Sequence, residues 1–221
     1  MKQTPYIASL IEMGESLTLD FKHNISDSRK IAKSLVAFAN TSGGTLLVGV
    51  RDNGSIAGIV SEEEVYMLEA AANFYAKPEI ILETKVWRVD HKSVLEVKIS
   101  PSETKPHFAQ NESNKWLAYI RVNDNNILAN KVLLKVWERE QRQRGIYLKY
   151  RKREELLLKA LEENAEMSFS QVQKTVKLPK HVVENILCNL ICIDIIKMNI
   201  SEERFSYSLI EEENLFYRSE E

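Results

Sequence analysis

Two cysteines in 221 residues leave no disulfide framework to hold the chain together. Cys188 and Cys192 lie four apart inside an apolar helical pattern and read as reduced core residues, with a bonded or metal-holding pair as the minor reading. A reducing compartment, hence a cytoplasmic location, is the expectation. Long apolar runs are also missing: none approaches the roughly 18 residues of a membrane-spanning helix, so no membrane partner is expected. The opening Met1-Lys2-Gln3-Thr4-Pro5 has no apolar core and is not expected to act as a secretory signal. Four histidines, His23, His91, His107 and His181, are scattered without metal-ligand spacing. No G-x-x-x-x-G-K-[ST] pattern occurs, and no lysine closely follows Gly43-Gly44, which argues against ATP hydrolysis. A Ser-His-Asp or Cys-His nucleophile system has no signature either.

What is present is unevenly charged. Residues 1–130 carry 14 Lys/Arg against 16 Asp/Glu, residues 131–153 carry 9 against 2, and residues 154–221 carry 7 against 14. A near-neutral body, a basic helical connector and an acidic tail domain follow from that map.

The body is organised around Ala37-Phe38-Ala39-Asn40-Thr41-Ser42-Gly43-Gly44, which leads into the apolar run Thr45 to Val50. Ile31, Leu35 and Phe38 recur at helical spacing, Asn40 suits a helix end, and the glycines permit a sharp turn. The unbroken apolar run predicts a strand covered on both faces, ending at Arg51-Asp52-Asn53-Gly54. Before it, Leu17, Leu19 and Phe21 alternate with Thr18, Asp20 and Lys22, a strand with an acid and a base on its polar face. Glu15 falls on the apolar parity, so only a turn or bulge would bring it beside Asp20.

Further along, Thr4-Pro5 predicts a first helix ended by Gly14, and Ile56 to Ile59 a returning strand. Ser61 and Glu64 predict a capping box, and Asp90-His91-Lys92 predicts a hairpin turn between Ile80–Val89 and Val94–Ile99. With Trp116 to Val122, the body reads as one sheet of about five or six strands. A helix from Leu128 through Trp137 follows. Later, Ser168 with Gln171 caps a helix, and Val183, Ile186, Leu187, Leu190 and Ile191 mark the next. Ile195–Asn199 and Phe205–Leu209 flank a turn. Three helices and a β-hairpin in this order resemble a winged helix-turn-helix. The fold class is therefore α+β, a mixed α/β sheet domain followed by a small winged-helix domain. The boundaries are 1–130, a connector at 131–153, and 154–221.

The segment Glu15-Ser16-Leu17-Thr18-Leu19-Asp20-Phe21-Lys22 and then Ala37-Phe38-Ala39-Asn40-Thr41 with the Gly-Gly strand resemble the Schlafen AlbA-type domain, also described as divergent AAA or DNA-binding. Lys105-Pro106-His107-Phe108 and Tyr119-Ile120-Arg121-Val122 extend the resemblance over roughly the first 130 residues. In nucleolytic members, two acids of a Glu-x-x-x-x-Glu-Phe-Lys segment and an Asp past the Gly-Gly strand form a site. The resemblance thus implies Glu15, Asp20 and Asp52 as catalytic and metal-holding residues for Mg²⁺ or Mn²⁺, with Lys22 as the basic neighbour. Asp20 departs from the family's usual Glu by one methylene. The competing reading makes Glu15 a turn cap, Asp20 and Lys22 a pair on one strand face, and Asp52 a turn residue.

Nucleic-acid contact has two further candidates. Arg142, Arg144, Lys149, Arg151, Lys152 and Arg153 are interleaved with Tyr147 and Tyr150, a run able to neutralise phosphates or to form a solvated linker. Lys177, Lys180 and His181 precede or open the third winged helix, where a recognition helix meets DNA, while Glu184 and Asn185 are expected on its exposed face. The functional expectation is a nucleic-acid-binding protein for DNA or structured RNA, a DNA-binding transcriptional regulator first. A Schlafen-type metal-dependent RNA endonuclease and a protein-interaction module are the alternatives, and a homodimer is an option.

Overall fold

The computed structural model describes residues 5–59, 61, 63–142 and 150–210. Thr4, Arg144, Tyr147 and Lys149 lie outside the described residues. The chain divides into two units, Met1–Ala129 and Asn130–Glu221.

In the first unit, α1 (Pro5–Met13) ends at Gly14, which takes a left-handed φ of +72°. The strand β1 (Leu19–Lys22), the helix α2 (Ser28–Ala39) and the strand β2 (Gly44–Val48) form a β-α-β crossover. The two strands run parallel, with Asp20 opposite Leu46 and Phe21 opposite Leu47. Asp27 caps α2 by accepting from the Arg29 and Lys30 N–H groups. Leu35, Phe38, Leu46 and Leu47 are fully buried, each stabilising by roughly 1.5–3 kcal/mol. Gly44 is required by space: a Cβ there would stand 2.4 Å from the Phe38 ring.

After the Ser61–Glu64 capping box comes α3 (Glu63–Asn73), then β3 (Ala76–Lys77). The hairpin β4 (Leu82–Val89) and β5 (Lys92–Ile99) turns through Asp90 and His91, both with positive φ. Four short strands follow: β6 (Phe108–Gln110), β7 (Trp116–Leu117), β8 (Tyr119–Val122) and β9 (Asn125–Leu128). Among the described residues the main sheet has four strands, ordered β1-β2-β5-β4, with separate β3-β6-β7 and β8-β9 sheets beside it. The single larger sheet read from the sequence is thus divided. Ile56 makes only an isolated bridge to Val50, and the Trp116–Val122 run splits at Ala118, its halves pairing with β6 and β9.

Each face of the main sheet carries its own core. Leu46, Val48, Leu95 and Val97 pack with α2, whereas Leu19, Phe21, Leu47 and Val94 pack with Ile7 of α1. The alternation read from Leu17 holds only from Leu19 to Lys22, since Leu17 and Thr18 lie in the turn before β1 with Leu17 exposed, and the face bearing Asp20 looks into the protein. The crossover helix covers it, and Asp20 is 3% exposed.

The second unit contains α4 (Lys131–Glu140), α5 (Lys152–Glu163), β10 (Met167–Ser168), α6 (Phe169–Val176), α7 (Lys180–Cys192), β11 (Ile196–Ile200) and β12 (Phe205–Leu209). The Ser168–Gln171 capping box opens α6, and Lys177 ends it in the left-handed conformation. The strands β10, β12 and β11 form an antiparallel sheet in that order, completing a winged helix. The helix α4 belongs to the same core: Val132 and Val136 pack with Val183, Leu187 and Cys188. The basic run therefore spans several elements. Lys131, Lys135 and Arg139 lie on α4, and Lys152 and Arg153 open α5.

Candidate nucleic-acid interface and the acidic pair

The turn that the Glu15 parity required is present. Ser16 N–H donates to the Leu19 carbonyl at 2.9 Å, folding the chain back before β1. Glu15 Oε1 then accepts from the Phe21 N–H at 2.9 Å, which sets the carboxyl beside Asp20. Burial, and after it the neighbouring Asp20, push the Glu15 carboxyl above its ordinary range.

Asp20 has two cationic partners. Lys22 Nζ lies 3.0 Å from Oδ2, and the fully buried Arg121 brings Nη2 to 3.4 Å from Oδ1. The Lys22 contact is an ion pair without hydrogen-bond alignment, since Oδ2 accepts no hydrogen bond among the described residues and Lys22 donates to the Phe21 carbonyl. Arg121 also donates to the carbonyls of Ser16 and Leu19 and to Asn126 Oδ1, and its guanidinium lies over the Phe38 ring. It is the residue that sequence reasoning left without a role. Its signal was an arginine inside the otherwise apolar Tyr119–Val122 strand, a position that demands an internal anion or carbonyls.

Asp52 is exposed in the turn beyond β2. Among the described residues no three His, Cys, Asp or Glu side chains gather to hold a metal ion, so Glu15 and Asp20 stand together and exposed Asp52 does not complete a three-carboxylate cluster with them. Lys22 and Arg121 both meet the charge of Asp20.

The Asn40 and His107 motifs are structural ties. Asn40 Nδ2 donates to the carbonyls of His107 and Tyr119, and Asn40 Oδ1 accepts from the His107 N–H at 2.7 Å. One buried amide so joins the end of α2 to two later segments. His107 Nδ1 sits 2.9 Å from the Pro78 carbonyl, which makes Nδ1 the protonated nitrogen and leaves Nε2 to accept from Ser102 Oγ. Burial holds the imidazole below its ordinary pKa, in keeping with that neutral form.

In the second unit, Lys174, Lys177, Lys180 and His181 are all exposed around the turn from α6 into α7. Arg142, Arg151, Lys152 and Arg153 are exposed as well. The expectation for Glu184 is corrected: it is 6% exposed and paired with Lys135 Nζ at 3.1 Å. Helix α4 supplies that lysine, which also donates to Asn185 Oδ1, while Asn185 itself stays exposed. Reading α4 as a connector hid this partner.

The architecture is that of an α/β domain joined to a winged-helix-like domain. The Schlafen, AlbA_2 profile matches residues 15–130, more than half of the chain, and the chain belongs to that family. A PCI domain profile matches residues 128–204, which take in α4 through β11 and stop before β12. Similar solved structures include the DIP2311 protein from Corynebacterium diphtheriae, 17% identical with a TM-score of 0.44, over 76% of this chain and 40% of that one. The chain thus spans less than half of that relative. A second is the N-terminal domain of a RecG-related protein from Nitrosomonas europaea, 18% identical with a TM-score of 0.37, covering 57% of this chain and 93% of that one. No curated protein matches the sequence. The two domains support a nucleic-acid-binding role in general terms. Among the described residues, no helix is long and apolar enough to cross a membrane.

Proposed function

We propose that the protein is a cytoplasmic DNA-binding transcriptional regulator that contacts DNA through its winged-helix unit. The observation that carries this reading is the exposed cluster of Lys174, Lys177, Lys180 and His181 at the entry to α7. These side chains neutralise phosphates at the end of a helix that has no side-chain cap, an arrangement that favours an anion. Arg142, Arg151, Lys152 and Arg153 are further exposed cations of the same unit. The acidic pair in the first unit supports binding over cleavage, because Asp20 is buried and ion-paired with Lys22 and Arg121.

The test uses the full chain with duplex DNA and mixed tRNA across a salt series, in EDTA and in Mn²⁺, scoring retention and cutting. Retention of duplex DNA without cutting is expected. Lys177→Gln with Lys180→Gln should weaken it and lower the salt slope by about 0.9 for each phosphate that no longer meets a cation. Unchanged affinity and slope would move the interface elsewhere. Mn²⁺-dependent cutting that Asp52→Asn abolishes would replace this reading with the nuclease one.

A further inference from the structure

The first unit holds a second cationic surface, shaped as a cavity. At the start of α2, Arg29, Lys30 and Lys33 face the loop after β6 across an open space of about 250 Å³, with Gln110, Ser113 and Tyr119 also lining it. None of the three cations forms an ion pair among the described residues. Two of them are held by aromatic faces instead: Arg29 lies 5.2 Å from the Tyr75 ring centroid and Lys33 lies 5.1 Å from that of Tyr119. Arg29 Nη1 also reaches the Glu112 main-chain carbonyl at 3.5 Å, which ties the helix to the opposite wall. Lys30 is exposed. The nearby carboxylates reduce this charge without outweighing it. Asp27 keeps its charge while capping α2 but does not line the cavity, and Glu112 is an exposed lining residue, the single acid among the lining side chains.

Three like charges gathered over one concave surface repel one another, and a bound anion removes that cost. The charge of the lining favours one class of anion. With Glu112 counted, the wall carries a net charge of about +2, which matches a phosphomonoester at roughly −1.5 to −2 better than a diester with one charge. A guanidinium fork and two ammonium groups are the donors such a group takes. The space is smaller than the roughly 300–1,000 Å³ of sites that enclose a drug-sized ligand, so it suits a phosphate and its sugar with the base projecting outward.

We propose that this cavity binds a terminal phosphomonoester of a nucleotide, carried either by the 5′ end of a strand or by a free nucleoside monophosphate. The proposal rests on the nucleic-acid reading for the identity of the carrier, while recognition of the phosphate stands on the cavity alone.

The experiment measures binding of the full chain to one single-stranded oligonucleotide bearing a 5′-phosphate or a 5′-hydroxyl, and titrates AMP against adenosine. A preference of about tenfold for the phosphorylated end is expected, with AMP binding and adenosine not. Lys30→Gln combined with Lys33→Gln should erase both effects and leave duplex DNA retention unchanged. Lys30→Gln alone, a change at an exposed side chain, should weaken both at unaltered thermal stability. AMP binding without an end preference assigns the site to free nucleotides. Equal binding of both ends together with no AMP binding overturns the proposal, as does a preference that survives the double change. Failure of the parent protein to retain duplex DNA would sink the regulator reading without touching this one.

Discussion

At the residue scale, the family motif brings Asp20 and Arg121 together as a buried ion pair. Asp20 is buried and meets two cations, whereas Arg121 is buried and meets one carboxylate, two carbonyls and an amide oxygen. The two are therefore not equivalent. Arg121→Met leaves a buried carboxylate with only the half-exposed Lys22, and should cost about 3–5 kcal/mol in chemical denaturation. Asp20→Asn leaves Arg121 with its oxygen partners and should cost clearly less. If Asp20→Asn proves as damaging as Arg121→Met, the carbonyls and Asn126 do not suffice to hold the guanidinium. The strand parity of Asp20 and Lys22 was legible in the sequence alternation, although the strand begins at Leu19 and Leu17 falls in the turn before it. The burial of that face was not, because alternation separates two faces without saying which of them a crossover helix will cover. Glu15 illustrates the same limit: a polar residue on the apolar parity announced a turn, and only the Ser16–Leu19 bridge shows where it points.

At the element scale, helices with local signals were readable and those whose meaning depends on a distant partner were not. Both capping boxes and the Asp90–His91 turn are local, since their hydrogen bonds and φ angles involve neighbours in sequence. The helix α4 was legible as a helix, with Val132, Val136 and Trp137 on one stripe, yet its destination against α7 was not. An amphipathic stripe states that something covers it and leaves the cover unnamed. The Lys135–Glu184 pair makes that packing testable. Glu184 is nearly inaccessible, while the Lys135 side chain is 30% exposed, so solvent moderates the loss. Lys135→Met should destabilise the second unit by about 1–2 kcal/mol, and adding Glu184→Gln should recover most of it. No recovery in the double variant would mean that the lysine acts through its packing rather than its charge.

At the scale of the whole molecule, the boundary between units and the covalent path of the chain do not coincide with the position of the basic run. The second unit begins at Asn130, and α4 is packed there before residues 141–151 lead to α5. Trypsin cuts after Lys and Arg, and Arg142, Arg144, Lys149 and Arg151 offer it a dense set of sites between those helices. A nick there leaves α4 covalently attached to the first unit and α5 through β12 on the other fragment. The core formed by Val132 and Val136 with Val183, Leu187 and Cys188 then joins the two fragments without a peptide bond. Burial of two valines contributes roughly 1.5–3 kcal/mol apiece, aided by the Lys135–Glu184 pair. Limited tryptic digestion should therefore give two fragments on a denaturing gel that elute together in native size exclusion and separate in urea. Val136→Asp places a charge in that core and should let the nicked fragments part without denaturant. Fragments that separate at once in the parent protein would show that α4 is not held by α7 in solution, and the basic run would then be a true connector.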